Sequence, residues 1–326
     1  MFDTLQWSID IKVCDPHFHL WNISERPNPN LGEGVNKSFP VYEAGDYARD
    51  MRNLPVPLNL TSGVHVETVV GQMLGGFPLD TVEETTWVCN QLSPSEASFP
   101  FGIVGYVHLA RDTAESERML VKHQAAAEGR FRGVRMILNH HPDNPDLTWP
   151  QVEHGDFLQS SIFQEGISLL GEKGLSFDLQ CNPHQLEDSA IVFNKYPQTQ
   201  VILNHLGLMH DGEDEAHDQI WRNGMRALAS VPNVYVKLSM LWFARNNYHH
   251  NAIEEAKIKN MVHEVIDLFG VDRCMFASNY PVEMVQGISI ETLYGKFLSW
   301  TESMSETERS ALFHDTATRV YKINGK

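Results

Sequence analysis

Val13-Cys14-Asp15-Pro16-His17-Phe18-His19-Leu20-Trp21 ends a short apolar run near the start of the chain. His17 and His19 stand two residues apart, so on a strand they point to one face. Two imidazoles leaving a strand side by side can hold one metal ion, or bind one water or substrate oxygen. Asp15 falls on the same alternation one step deeper, where it is placed to orient an imidazole as a hydrogen-bond acceptor. Taken alone, H-x-H also describes a polar strand end with two surface histidines. The rest of the chain decides between the two.

Outward from that stretch, eight short apolar runs recur, at 12–17, 62–68, 102–109, 133–138, 175–181, 201–205, 233–240 and 273–278. Amphipathic stretches of helical length lie between them, including 112–129, 156–174, 183–196, 218–230 and 251–270. Gly129, Gly174 and Gly270 stand where a left-handed C-cap is wanted. Ser305-Glu306-Thr307-Glu308 has the form of a capping box and predicts a last helix. Eightfold strand–helix alternation predicts an α/β fold, a (β/α)₈ TIM barrel in a single domain over 1–326. A doubly wound open sheet fits less well, because no Gly-rich phosphate loop follows the first run.

A barrel strand faces helices on one side and the interior on the other. Phe177, Leu179 and Cys181 alternate with Ser176, Asp178 and Gln180. Val234, Val236, Leu238 and Met240 alternate with Tyr235, Lys237 and Ser239, and Val134, Met136 and Leu138 with Arg135, Ile137 and Asn139. Val64 and Val66 alternate with His65 and Glu67. With the apolar sets against the helices, the interior collects Glu67, Arg135, Asp178, Gln180, Lys237 and the two histidines. Buried charge costs several kcal/mol per ion unless paired, and Glu67 and Asp178 can balance Arg135 and Lys237. A structural ion-pair network is the bland reading of this set. A polar barrel mouth with a substrate in it is the functional one. Long connections after the first, second, fourth and seventh runs carry Trp21, Phe77, Trp149, Trp242, Phe243 and Tyr248. Long loops at that end usually carry function. The pairs His140-His141 and His249-His250 on them read as solvated loop residues.

The net charge of -17 opposes nucleic acid and anionic membrane surfaces as partners. No apolar run has the length to span a bilayer, and Met1-Phe2-Asp3-Thr4 lacks a basic n-region. Cys14, Cys89, Cys181 and Cys274 form no C-x-x-C pair, and read as reduced packing residues of a cytoplasmic protein. The expected partner is a small molecule, with a homo-oligomer as an open alternative to a monomer.

Three motifs carry a resemblance: Asp15-Pro16-His17-Phe18-His19-Leu20-Trp21, Leu203-Asn204-His205-Leu206-Gly207, and Met275-Phe276-Ala277-Ser278-Asn279-Tyr280-Pro281-Val282. With them the chain resembles the amidohydrolase superfamily, more narrowly the amidohydrolase-related branch of sugar-acid lactonases and 2-pyrone-4,6-dicarboxylate lactonase. Metal-dependent decarboxylases are more distant relatives. Stretches 132–139, 175–180 and 312–317 are similar to that branch as well. The resemblance implies His17, His19 and His205 as catalytic residues and as ligands of zinc or another divalent metal. It also implies that lactonases of this branch often act without a tightly bound metal. Two positions depart from the pattern. Gln180 and Cys181 stand where a fifth-strand histidine is usual, and Asn279 replaces the eighth-strand aspartate. An amide is a poorer ligand than a carboxylate and cannot act as a general base.

The expected function is hydrolysis of a small polar ester, a lactone of a carboxylated sugar-acid or aromatic-degradation compound. His17, His19 and His205 polarise the carbonyl or position water, directly or through a metal. Arg135 holds a substrate carboxylate through its planar fork. Gln180 and Asn279 hydrogen-bond the reacting oxygens, and Glu67, Asp178, Lys237 and Trp21 complete the substrate pocket. The base falls to a histidine, Asp178 or Glu283. A metal-dependent decarboxylase or hydratase, or an impaired barrel that only binds a ligand, are the alternatives.

Overall fold

Eight parallel strands follow one another in chain order around the molecule, each hydrogen-bonded to the next. They are β1 (Ile11–Phe18), β2 (Leu58–Val66), β3 (Phe101–Gly105), β4 (Phe131–Ile137), β5 (Ser176–Gln180), β6 (Val201–Leu203), β7 (Val234–Leu238) and β8 (Cys274–Phe276). The computed structural model describes residues 10–70, 80–92, 99–150, 152–211 and 215–323; the loop residue Phe77 lies outside them. The ring closes just past the ends of β1 and β8. There Asn279 N–H donates to His17 O and His19 N–H to Tyr280 O, both at 2.7 Å. All eight expected strands are present, and the fold is the (β/α)₈ barrel.

Helices α1 (Ala44–Met51), α2 (Thr81–Gln91), α3 (Thr113–Ala126), α4 (Ser161–Glu172), α5 (Leu186–Phe193), α6 (Glu215–Ala229), α7 (Ala252–Phe269) and α8 (Ile290–Trp300) surround the strands. Their starts are set by side chains that accept from the first free N–H groups: Asp80, Asp112, Ser160, Asn251 and Ser289 do so. Gly129, Gly174 and Gly270 have φ of 82°, 67° and 80°, a conformation that costs a glycine little. Ser305 and Glu308 form the expected capping box. No helix among the described residues is long and apolar enough to cross a membrane. The four cysteines are buried and unbridged.

Two apolar layers hold the barrel. The outer one places Val134, Met136, Phe177, Leu179, Val234, Val236 and Leu238 against the helices, as the alternation predicts. Fully burying one such side chain contributes about 1.5–3 kcal/mol. The inner layer is smaller: Cys14, Val64, Val66, Val104, Ile202, Tyr235 and Met275, together with Ala317, Val320, Tyr321 and Ile323 from the last turn of chain.

Here β2 departs from expectation. Val64 and Val66 belong to the inner layer, and His65 turns outward, its ring 5.8 Å from Phe18. The cause is a bulge. Val13 pairs with Leu60 but Cys14 pairs with Ser62, and one extra residue exchanges the two faces of a strand. A second bulge lies between Asp15 and Phe18, which pair with Gly63 and His65. It separates Asp15 from the face of His17 and His19. Asp15 therefore orients no imidazole. Its carboxylate accepts Tyr47 OH at 2.8 Å and the N–H of Ser278 at 2.9 Å, tying β1 to α1 and to the end of β8.

Candidate active site

The backbone is strained at several C-terminal strand ends. Val69 after β2, His205, Leu206 and Leu208 after β6, Met240 after β7 and Asn279 after β8 all have φ between 50° and 56°. Non-glycine residues held there cost on the order of 1–3 kcal/mol each and gather at functional sites. Asn279 is the residue type that tolerates this conformation best.

Three polar groups stand at that end. In the first, Lys237 Nζ donates to Asp178 Oδ2 at 2.5 Å and to His17 Nδ1 at 3.2 Å. Because Nδ1 accepts, the His17 proton sits on Nε2, which faces His19 Nε2 at 3.1 Å. His19 sends its Nδ1 proton to Val66 O at 2.8 Å. Asp178, Lys237, His17 and His19 thus form one chain, and from Lys237 upward its donors point the same way, toward the mouth. Tyr321 OH anchors its lower end, donating to Asp178 at 2.9 Å. Asp178 and Lys237 are wholly buried. His205 lies beside the chain, its ring 4.6 Å from that of His17 and its Nδ1 3.0 Å from Ser239 Oγ. Burial holds all three imidazoles well below their usual pKa. The positive charge of Lys237 adds to this at His17, and that of Arg135 at His19 and His205.

The second group centres on Arg135. Its Nε donates to Glu67 Oε1 at 2.6 Å and its Nη1 to Gln180 Oε1 at 3.2 Å, while Nη2 takes the carbonyl of Glu67. Glu67 is held in turn by Val70 N–H at 3.1 Å. Glu67 stands one residue beyond β2 and reaches back over the mouth. The third group joins Asn279 to Glu283, whose carboxyl accepts Asn279 Nδ2–H at 3.0 Å and Trp242 Nε1–H at 3.2 Å. Burial pushes Glu283 up to about 8.

Several buried polar atoms at these strand ends have no partner among the described residues: Asn139 Oδ1, Gln180 Nε2, the Asn204 amide and Glu283 Oε2. Folded proteins rarely strand such atoms, and these are the kind that a polar molecule in the mouth would meet. Trp21 is buried nearby but spends its N–H on Phe39 O at 2.6 Å, its ring 6.5 Å from His19.

The sequence reading singled out each residue of these groups except Ser239 as a hydrogen-bond partner and Tyr321 as the floor. Neither carries a signal in sequence, since both act through contacts made only on folding. The reading also missed a second histidine trio. His141, His184 and His217, on the loops after β4 and β5 and in the first turn of α6, each offer a ligand atom within 4.8 Å of the other two.

The amidohydrolase family profile matches residues 14–323. The chain belongs to the amidohydrolase family. It is 35% identical over 324 residues to the uncharacterized protein y4mH of Sinorhizobium fredii, covering 96% of this chain and 99% of that one. It is 26% identical over 320 residues to the L-fucono-1,5-lactonase of Burkholderia ambifaria, covering 95% of each. Among solved structures it resembles an amidohydrolase of Burkholderia multivorans at 24% identity, covering 96% of this chain and 99% of that one. The TM-score is 0.75 for its crystal form with bound HEPES and 0.74 for the form with bound zinc.

That zinc belongs to the relative. His19 presents a lone pair on Nε2. His17 presents a proton there for as long as Lys237 is an ammonium, and position 279 offers an amide. Among the described residues, His17, His19 and His205 are not gathered as the other trio is. As they stand, these residues do not fit a metal.

Proposed function

We propose that this amidohydrolase opens a small lactone of a carboxylated compound, of the sugar-acid or aromatic-degradation kind, to the hydroxy acid. The observation that carries the reading is the braced Arg135 beside three buried, neutral imidazoles at the barrel mouth. Arg135 receives the substrate carboxylate on the N–H groups that Glu67 and Gln180 leave free, and the rigid brace fixes the lactone over the histidines. The relatives named as lactonases support the same choice of substrate class.

Water adds its oxygen to the lactone carbonyl carbon, and its proton passes to His205. The hydrogen-bond partner of that ring is the Ser239 hydroxyl, not an ammonium or a second imidazole, and Ser239 orients it. The developing oxyanion is met by the free amide N–H of Gln180 and by His17 Nε2–H, which turns to it from His19 Nε2. The ring C–O bond then breaks, and its oxygen takes the proton of Glu283, which is in the acid form below about 8. Asn279 holds that carboxyl by its amide N–H; it positions and does not act as a base. Proton return from His205 to Glu283 restores the resting state. Lys237 and Asp178 orient the chain from below.

A panel of 1,4- and 1,5-lactones of sugar acids, with 2-pyrone-4,6-dicarboxylate and hydroxybenzoic acids, tests this by acid release and by carbon dioxide release. Opening of one or more lactones, weakened in KM by Arg135→Lys, is expected. Decarboxylation without lactone opening, or tight binding without turnover, would overturn it.

A further inference from the structure

We infer that His141, His184 and His217 form a binding site for a borderline divalent transition-metal ion such as Zn²⁺ or Co²⁺, separate from the barrel histidines. The three residues are far apart in sequence and come from three consecutive strand-to-helix connections. Their ligand atoms lie within 4.8 Å of one another. Ring centroids are 4.4 Å apart for His141 and His184, 5.4 Å for His184 and His217, and 6.4 Å for His141 and His217. A tetrahedral ion at about 2.0–2.1 Å from each nitrogen needs the ligands roughly 3.3 Å apart. His141 and His184 are half-buried loop residues, able to close that gap.

The His184 ring is already oriented. Asn182 Oδ1 accepts from the backbone N–H of His184 at 3.1 Å and faces its Nδ1 at 3.0 Å. Nδ1 therefore carries the proton and Nε2 the lone pair, the arrangement found when an outer carbonyl orients a metal-bound imidazole. Gln185 Oε1 accepts from His140 N–H at 3.0 Å and Asn182 N–H at 2.9 Å, locking the two loops together. His217 sits one turn before Trp221 on the inward face of α6 and is 5% exposed. A polar ring there stands where a helix usually places an apolar one.

His141 is the least prepared of the three. Its Nδ1 accepts the N–H groups of Asp143 at 3.1 Å and Asn144 at 2.9 Å, so its ring must turn and give up that short turn when it ligates. It is accordingly the weakest ligand of the site. The donor set is all imidazole, with no carboxylate among the three. That selects zinc, cobalt, nickel or copper over magnesium or calcium.

The test is calorimetric titration of Zn²⁺ into the full-length protein after chelator treatment, repeated with Co²⁺ to read the visible absorption of a tetrahedral site. One tight equivalent is expected in the wild type and in His19→Ala. His184→Ala and His217→Gln should weaken it about a hundredfold, and His141→Ala about tenfold. Circular dichroism of the metal-free variants separates loss of ligand from loss of fold, and His184→Ala, in a half-exposed turn, keeps the test alive if His217→Gln unfolds. No binding to the wild type, equal binding by His184→Ala, or loss of that equivalent in His19→Ala would each overturn the assignment.

Discussion

Two histidine clusters stand at the same end of one barrel and are built on opposite plans. His17, His19 and His205 sit at strand ends, almost wholly buried, and the ring nitrogens of His17 and His19 are committed to a one-way chain that begins at Lys237, itself held by Asp178. His141, His184 and His217 come from loops and a helix start, and each offers a ligand atom within 4.8 Å of the other two. Identical side chains therefore have different chemistry according to what holds the nitrogen that faces away. A donor there, as at His17, leaves a proton on the near side and makes a hydrogen-bond donor. An acceptor there, as Asn182 is to His184, leaves a lone pair and makes a ligand.

The sharpest way to break this comparison is to remove one ring from each cluster. His205→Ala should lower turnover by about 10²–10⁴-fold, the usual contribution of a positioned acid–base group. His184→Ala should cost less than about tenfold under the same assay. Equal losses would mean that the two clusters act as one site.

Next in size is the support below the chain. Lys237→Met leaves Asp178 buried with only Tyr321 against it, and should cost about 3–5 kcal/mol in urea unfolding. A loss under about 1 kcal/mol would show that the pair is not the anchor of the chain.

Asn279→Ala should reduce turnover roughly ten- to a thousandfold, as loss of a positioned hydrogen bond does. Asn279→Asp takes away the N–H that holds Glu283 and sets a second carboxyl beside it. The pKa of Glu283 should then rise further, because two adjacent carboxylates cannot both ionise cheaply. A fall in that pKa, followed by infrared spectroscopy of the carboxyl, would contradict the assigned contact.

The smallest effect concerns pH. Glu283 is raised from 4.5 to about 8, so the folded protein binds its proton more tightly than the unfolded chain. Its stabilising contribution is complete below about 4.5 and is lost as pH rises through about 8. Turnover should decline over that same alkaline limb as the acid form disappears. Glu283→Gln should flatten the limb in both stability and rate profiles. An unchanged limb would move the acid role elsewhere.

Much of this was legible in the chain. Strand alternation in β4, β5 and β7 is unbroken, so the inward set of Arg135, Asp178, Gln180 and Lys237 could be read from period two alone. In β1 and β2 the same rule failed for Asp15, Val64 and Val66, because a bulge changes parity without leaving a mark in residue type. Glu283 was visible as a candidate base. Its raised pKa comes from burial that exists only on folding, and it stands in spite of the N–H groups donated by Asn279 and by Trp242, 41 residues away. The His141, His184 and His217 trio was illegible for the same reason: metal sites announce themselves in sequence only when their ligands share a helix, strand or loop. His140-His141 read as a solvated loop pair, and only the approach of two further loops gives His141 partners.

The most direct test of the division between the clusters is the lactone turnover of protein stripped of metal, with residual metal measured in the same sample. Turnover should persist at its full rate when zinc content falls to a few hundredths of an equivalent, since the barrel histidines work through their own protons. Loss of turnover on stripping, restored by one equivalent of zinc in the wild type and in His184→Ala alike, would place the ion among the barrel histidines and contradict it.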